Sequence, residues 1–181
     1  MPLMTLALIL ANLLAYSLEL VSGGRVTCEQ FGLIPAHFVP SALVTSTFLH
    51  DPAGLSHIAG NMIFLLVFGA IVEREIGGFF FLALYFAAGA VGGLFHVAVS
   101  PTDTAPLVGA STAVCGVLAV AGALNPRLLG FVGCFMAFNI WEAVTGTGGS
   151  VAVCGHIGGF CFGAFFAFLM RASNLAEERF A

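Results

Sequence analysis

The sequence predicts an all-α membrane protein, a bundle of six transmembrane helices. Apolar residues make up 60 % of the chain and charged residues 8 %, against roughly 25 % charged in an ordinary soluble domain. Mean hydropathy is +1.07, which is more apolar surface than one small core buries, so lipid must be part of the solvent. The 181 residues allow about six or seven crossings at about 20 apolar residues each. The same composition excludes disorder. A net charge of −4 with five basic residues, all arginine, leaves no patch for nucleic acid.

Apolar runs broken by Pro, Gly or charge mark spans at residues 2–20, 56–72, 79–99, 107–124, 128–144 and 151–170, within one integral membrane domain over 1–181 and no soluble domain. The first run has no basic leader and no small-residue cleavage site, and Asn12, Tyr16 and Glu19 interrupt it. It therefore reads as a retained helix. The connection from Val21 to Leu55 carries Pro35, Pro40, Pro52, His37, Phe38 and Phe48. So apolar a loop is expected to lie in the interface or pack on the bundle.

Arginine placement sets the expected topology. With a cytoplasmic amino terminus, Arg74, Arg127, Arg171 and Arg179 fall inside and only Arg25 outside, and both termini are cytoplasmic. The tail with Glu177, Glu178 and Arg179 reads as a solvated helix end. Cys28, Cys115, Cys134, Cys154 and Cys161 lack C-x-x-C spacing and read as small packing residues, with a Cys28–Cys154 disulfide left open.

An unpaired polar group in hydrocarbon costs several kcal/mol, so polar side chains within the spans are where function is sought. They are His57 and Asn61 in the second span, His96 in the third, Ser111 and Thr112 in the fourth, Asn139 and Glu142 in the fifth, and His156 in the sixth. The second, fourth and sixth spans run in one direction, which puts His57, Asn61, Ser111 and His156 at comparable depth. Ser111 is expected roughly 6 Å into its span and His156 roughly 7 to 8 Å into its own. Their helix N-termini favour negative charge at that level.

His156, Gly159 and Gly163 follow at i, i+3 and i+7, so the imidazole shares a stripe with two glycines that admit a close neighbour. Gly109 and Gly116 flank Ser111 on the candidate partner helix. A hydroxyl beside a neutral imidazole is the minimal nucleophile and general base for acyl transfer. His57 and Asn61, one turn apart, share a face from which both can donate to an oxyanion. The bland alternatives are a serine bonded to its own i−4 carbonyl and a structural interhelical histidine. No H-E-x-x-H spacing is present, so neither a metal nor a cofactor is expected. Glu73 is expected to cap or pair locally with Arg74 or Arg127, His37 and His50 to anchor the loop, and His96 and Glu142 to bond between helices or at the interface.

These residues resemble the rhomboid family of intramembrane serine proteases. The matching stretches are Gly109-Ala110-Ser111, Gly155-His156-Ile157-Gly158-Gly159 with Gly163, and His57-Ile58-Ala59-Gly60-Asn61, with Phe48-Leu49-His50, Gly69, Glu73, Gly77 and Tyr85 around them. The resemblance implies a Ser-His dyad without a third carboxylate, cleaving transmembrane substrates near the outer membrane face. Ser111 would be the nucleophile and His156 the base, with His57, Asn61 and the Ser111 N–H holding the oxyanion. Membrane proteins and lipid are the implied partners. The chain departs from the family pattern at Thr112, usually glycine, at Cys115, usually aromatic, and in lacking the outer-loop Trp-Arg pair, since its one Trp is Trp141. The alternatives are Cys115 as nucleophile, a weak or inactive relative that binds transmembrane segments, and a small channel or carrier. The fifth span, with Gly130, Gly133, Asn139 and Gly146, is the expected mobile element.

Overall fold

The apolar runs fold as helices because a backbone in lipid must satisfy its own hydrogen bonds. The computed structural model of the protein describes residues 1–52, 54–145 and 152–180, and the side chains of 153–173 within the last helix. Val151, Gly146 and the side chains of Glu177, Glu178 and Arg179 lie outside the described residues. The helices are α1 (Leu3–Val21), α2 (Gly24–Phe31), α3 (Leu55–Ile76), α4 (Gly78–Val99), α5 (Ser111–Leu124), α6 (Leu129–Thr145) and α7 (Ala152–Phe180), with single turns between some of them. Among the described residues, five helical stretches have the length and composition to cross a membrane, and α5 is a shorter apolar helix. The only strand-like pairing among the described residues is one bridge, Leu33 to Leu107. The protein is an integral, multi-pass membrane protein.

Helix α1 turns a mostly polar stripe inward and leaves leucine outside. On α1 the buried stripe is Thr5, Leu8, Asn12, Tyr16 and Glu19, while Leu3, Leu6, Leu10, Leu13, Leu14 and Leu18 are exposed. That is the inverse of a soluble amphipathic helix, as expected when lipid is the solvent. On α4 the inward stripe is Phe81, Leu84, Tyr85, Ala88, Gly89, Gly92, Gly93 and His96. Helix α5 sits at the centre, buried from Thr112 to Gly122 and packed between α4 and α7.

Glycine sets how closely the central helices approach. A Cβ on Gly159 would overlap the Thr112 carbonyl, and one on Gly163 would overlap Gly116. Helices α5 and α7 are therefore in backbone contact along the stripe that begins at His156.

Helix α5 begins at Ser111, where the sequence suggests a span from Leu107. Residues 107–110 instead run as irregular chain: Leu107 and Leu33 exchange backbone bonds of 2.9 and 3.0 Å, and Gly109 N–H donates to Ser46 O at 2.9 Å. Gly109 has φ +121°, a region that only glycine enters readily. The apolar stretch reads as helix locally, but partners from the 22–54 loop satisfy its backbone. That loop packs on the bundle, with Leu33, Ala42 and Leu107 forming its own small core.

Several expected partners are replaced. Glu73 pairs with neither arginine. It reaches across from α3 to the first turn of α1, accepting from Met4 N–H (2.9 Å), Thr5 N–H (2.7 Å) and the Thr5 hydroxyl (2.8 Å). Thus it supplies the N-terminal cap that α1 lacks in its own sequence. Cys28 is a free thiol that donates to Glu19 at 2.7 Å, and Cys154 is free as well, so no Cys28–Cys154 bridge forms. Burial, reinforced by that carboxylate, pushes the Cys28 thiol up to about 12. The loop is anchored by the His50 backbone N–H, which donates to Glu19 at 3.1 Å, and not by the imidazole. Neither ring nitrogen of His50 or of His96 has a hydrogen-bond partner among the described residues.

Candidate active site

Ser111 is the first residue of α5, and the N–H groups of that first turn have no acceptor within the helix. His156 is the fifth residue of α7. The glycine seam brings the two helices together at this level, and Ser111 Oγ lies 2.8 Å from His156 Nε2. The side chains are 45 positions apart in sequence. Their meeting replaces the bond to the i−4 carbonyl that is the common fate of a membrane serine.

A cavity of about 330 Å³ opens beside them, lined by Ser56, His57, Gly60, Asn61, Val114 and Cys115 together with the pair itself. Phe64, Phe135 and Leu118 make its deeper wall apolar. Ser56 and Gly60 are exposed at its edge.

The two other predicted site residues line the same cavity. His57 Nδ1 accepts from Asp51 N–H at 3.2 Å, which fixes the ring with its proton on Nε2. That nitrogen is 2.7 Å from where a Cβ on Gly109 would stand, and Ser111 Oγ is 3.5 Å from the same point. Any side chain at 109 would thus fill the gap between imidazole and hydroxyl. Asn61 donates from Nδ2 to its own helix, at His57 O (3.0 Å), and keeps one amide hydrogen for the cavity it lines.

The departures at 112 and 115 have structural consequences that spacing did not reveal. Thr112 does not face the cavity. Its methyl packs on Gly92 of α4, and its hydroxyl is 3.0 Å from the Cβ position of Gly155. The β-branched side chain is accommodated by glycines on two neighbouring helices, so it does not crowd the hydroxyl of Ser111. Cys115 lines the cavity one turn below Ser111, yet the imidazole bonds to the serine oxygen.

One residue at the site has no catalytic or binding role in the sequence reading, which places it among the polar groups of the fifth, mobile span. Asn139 of α6 places Oδ1 2.7 Å from His156 Nδ1, and its Nδ2 donates to Phe135 O at 2.9 Å. Helices α6 and α7 are consecutive and antiparallel. Asn139 lies six residues before the end of α6, and His156 lies four after the start of α7. That near-symmetry about the connection is the signal that pairs them.

A rhomboid domain model matches residues 37–173. The chain belongs to the rhomboid family. Among relatives, the rhomboid protease GluP of Bacillus subtilis (strain 168) is 30 % identical over 178 residues, 92 % of this chain and 34 % of the relative. Rhomboid-like protein 11, chloroplastic, of Arabidopsis thaliana is 40 % identical over 78 residues, 43 % of this chain and 27 % of the relative. This rhomboid chain thus spans about a quarter to a third of the length of the curated relatives it matches.

Proposed function

We propose that this rhomboid is a serine endopeptidase that hydrolyses peptide bonds of transmembrane proteins at the end of the bundle covered by residues 22–54. The observation that carries the reading is the 2.8 Å contact between Ser111 Oγ and His156 Nε2 beside a cavity of about 330 Å³. Arginine placement supports the reading that this end faces outside and both termini the cytoplasm.

In this mechanism His156 Nε2 takes the Ser111 proton as Oγ attacks the scissile carbonyl carbon. The oxyanion forms beside the Ser111 N–H, the α5 N-terminus, the His57 Nε2–H and the remaining Asn61 amide hydrogen. The imidazolium then returns the proton from Nε2 to the leaving amine, and water completes hydrolysis of the acyl-enzyme by the same route. None of these steps calls on a metal or cofactor. The substrate segment must be unwound, because a peptide bond inside an intact helix has its backbone groups engaged.

A second reading is a non-catalytic rhomboid that binds transmembrane segments. One observation favours it: Asn61 spends an amide hydrogen on its own helix. Covalent labelling by a fluorophosphonate, with cleavage of a membrane-anchored reporter in proteoliposomes, separates the two. The protease reading expects labelling and cleavage in the parent and neither in Ser111→Ala. Equal cleavage by both proteins removes Ser111 as nucleophile.

A further inference from the structure

A histidine works as a general base toward Ser111 only if the nitrogen facing the hydroxyl carries a lone pair. Neutral imidazole has two tautomers, and the one with the proton on Nε2 cannot take the serine proton. Something must hold the proton on Nδ1. Among the described residues no aromatic ring stacks on His156. The orientation and tautomer of the ring therefore rest on what its two nitrogens bond.

The network leaves one consistent assignment. The Phe135 carbonyl can only accept, so the Asn139 atom 2.9 Å from it is the amide nitrogen. The other end of the amide is then the oxygen, and it is the oxygen that lies 2.7 Å from His156 Nδ1. An amide oxygen has no proton to give, so Nδ1 carries the hydrogen of this bond. Nε2 is left with its lone pair toward Ser111 Oγ at 2.8 Å. Asn139 is 3 % exposed, so water does not compete for its oxygen.

We propose that Asn139 is the positioning residue of this site: anchored on the Phe135 carbonyl, it holds the His156 proton on Nδ1 and aims Nε2 at Ser111. The proposal rests on the serine-protease reading for its kinetic consequences and on geometry alone for the tautomer. During acyl transfer Nε2 gains the serine proton while Nδ1 keeps its own, and the Asn139 oxygen goes on accepting from the imidazolium. Because the acceptor is a neutral amide, it orients the ring without binding the imidazolium as a carboxylate would. Asn139 touches neither nucleophile nor substrate, so its effect falls on kcat.

The test combines a structural and a kinetic measurement on the full chain. Nitrogen-15 spectra of histidine-labelled protein in lipid or detergent, assigned against His156→Gln, report which ring nitrogen is protonated. The expected result is a protonated Nδ1 and a bare Nε2 in the parent, with the second tautomer appearing in Asn139→Leu. Proton on Nε2 in the parent overturns the proposal whether or not the protein cleaves anything.

In the kinetic arm, Asn139→Leu is expected to lose on the order of 10- to 100-fold in kcat with KM unchanged, as when a partner orienting a functional histidine is removed. Asn139→Asp is expected to recover much of that loss, with the acid limb of kcat/KM moved to higher pH because a carboxylate binds the imidazolium more tightly. A parent-like kcat in Asn139→Leu, or an unmoved acid limb in a folded Asn139→Asp, overturns the positioning role. Failure of the protease reading looks different: Ser111→Ala would cleave as the parent does while the nitrogen-15 result stands.

Discussion

Gly159→Ala adds one methyl group where α7 touches α5. The new Cβ would overlap the Thr112 carbonyl oxygen and stand 3.1 Å from its carbon. Carbon atoms settle at about 3.5 to 4.0 Å, and both obstructing atoms are backbone, so no rotamer change relieves the clash. The helices must part by on the order of 1 Å at this level, one turn from His156. The Ser111–His156 distance of 2.8 Å then passes the roughly 3.5 Å beyond which a side-chain hydrogen bond is lost. A displacement of this size costs about 10²-fold in rate, and overpacking costs about 1–3 kcal/mol in stability. The assay is kcat for reporter cleavage in proteoliposomes, with the thermal midpoint measured in parallel. Gly130→Ala and Gly133→Ala are the controls, since a Cβ at either α6 position meets nothing within 4 Å. Parent-like cleavage by Gly159→Ala, or equal damage in the controls, would refute the claim that backbone contact sets the site.

The remaining predictions concern the cap, the departure beside the serine, and the loop. Glu73→Ala leaves three donors at the start of α1 without their acceptor. It should lower stability by about 2–3 kcal/mol, read as a lower thermal midpoint, while kcat well below that midpoint stays at the parent value because Glu73 is at the opposite end of the bundle. Thr112→Gly should cleave no faster than the parent and melt lower, because its methyl fills space against Gly92 and does not obstruct the cavity; faster cleavage would contradict this placement. Burial, with His57 nearby, pushes His50 down to about 4 from an ordinary 6.5. The unfolded chain therefore takes up this proton first, so the full stability is present above pH 6.5 and is lost as pH falls toward 4, by up to about 3 kcal/mol. A shallower fall in thermal midpoint between pH 6.5 and 4 in His50→Phe checks it; identical slopes would exclude His50 as the source.

Much of the site was legible because few polar residues sit in apolar runs, and the spans of Ser111, His57, Asn61 and His156 run the same way. The glycines at i+3 and i+7 from His156 marked the face on which another backbone could approach. The start of α5 was not legible. Residues 107–110 are as apolar as a helix, and their irregular course depends on Leu33 and Ser46, which are remote in sequence. A capping role for Glu73 was legible, but the helix it caps was not, since its donors at Met4 and Thr5 are 69 and 68 positions away. The side-chain direction of Thr112 depended on where Gly92 and Gly155 happened to stand. Asn139 was visible as a polar group, but its use was not.

Sequence alone determined the solvent and the helical class, because composition sets how much apolar surface must meet lipid and lipid forces each backbone segment to bond within itself. It also determined the short roster of groups able to do chemistry. Only the tertiary structure decided which of them meet. Partnership at 2.7 to 2.8 Å depends on helix register and rotation, and these follow from glycine-lined backbone contacts among three helices, a property of no single segment.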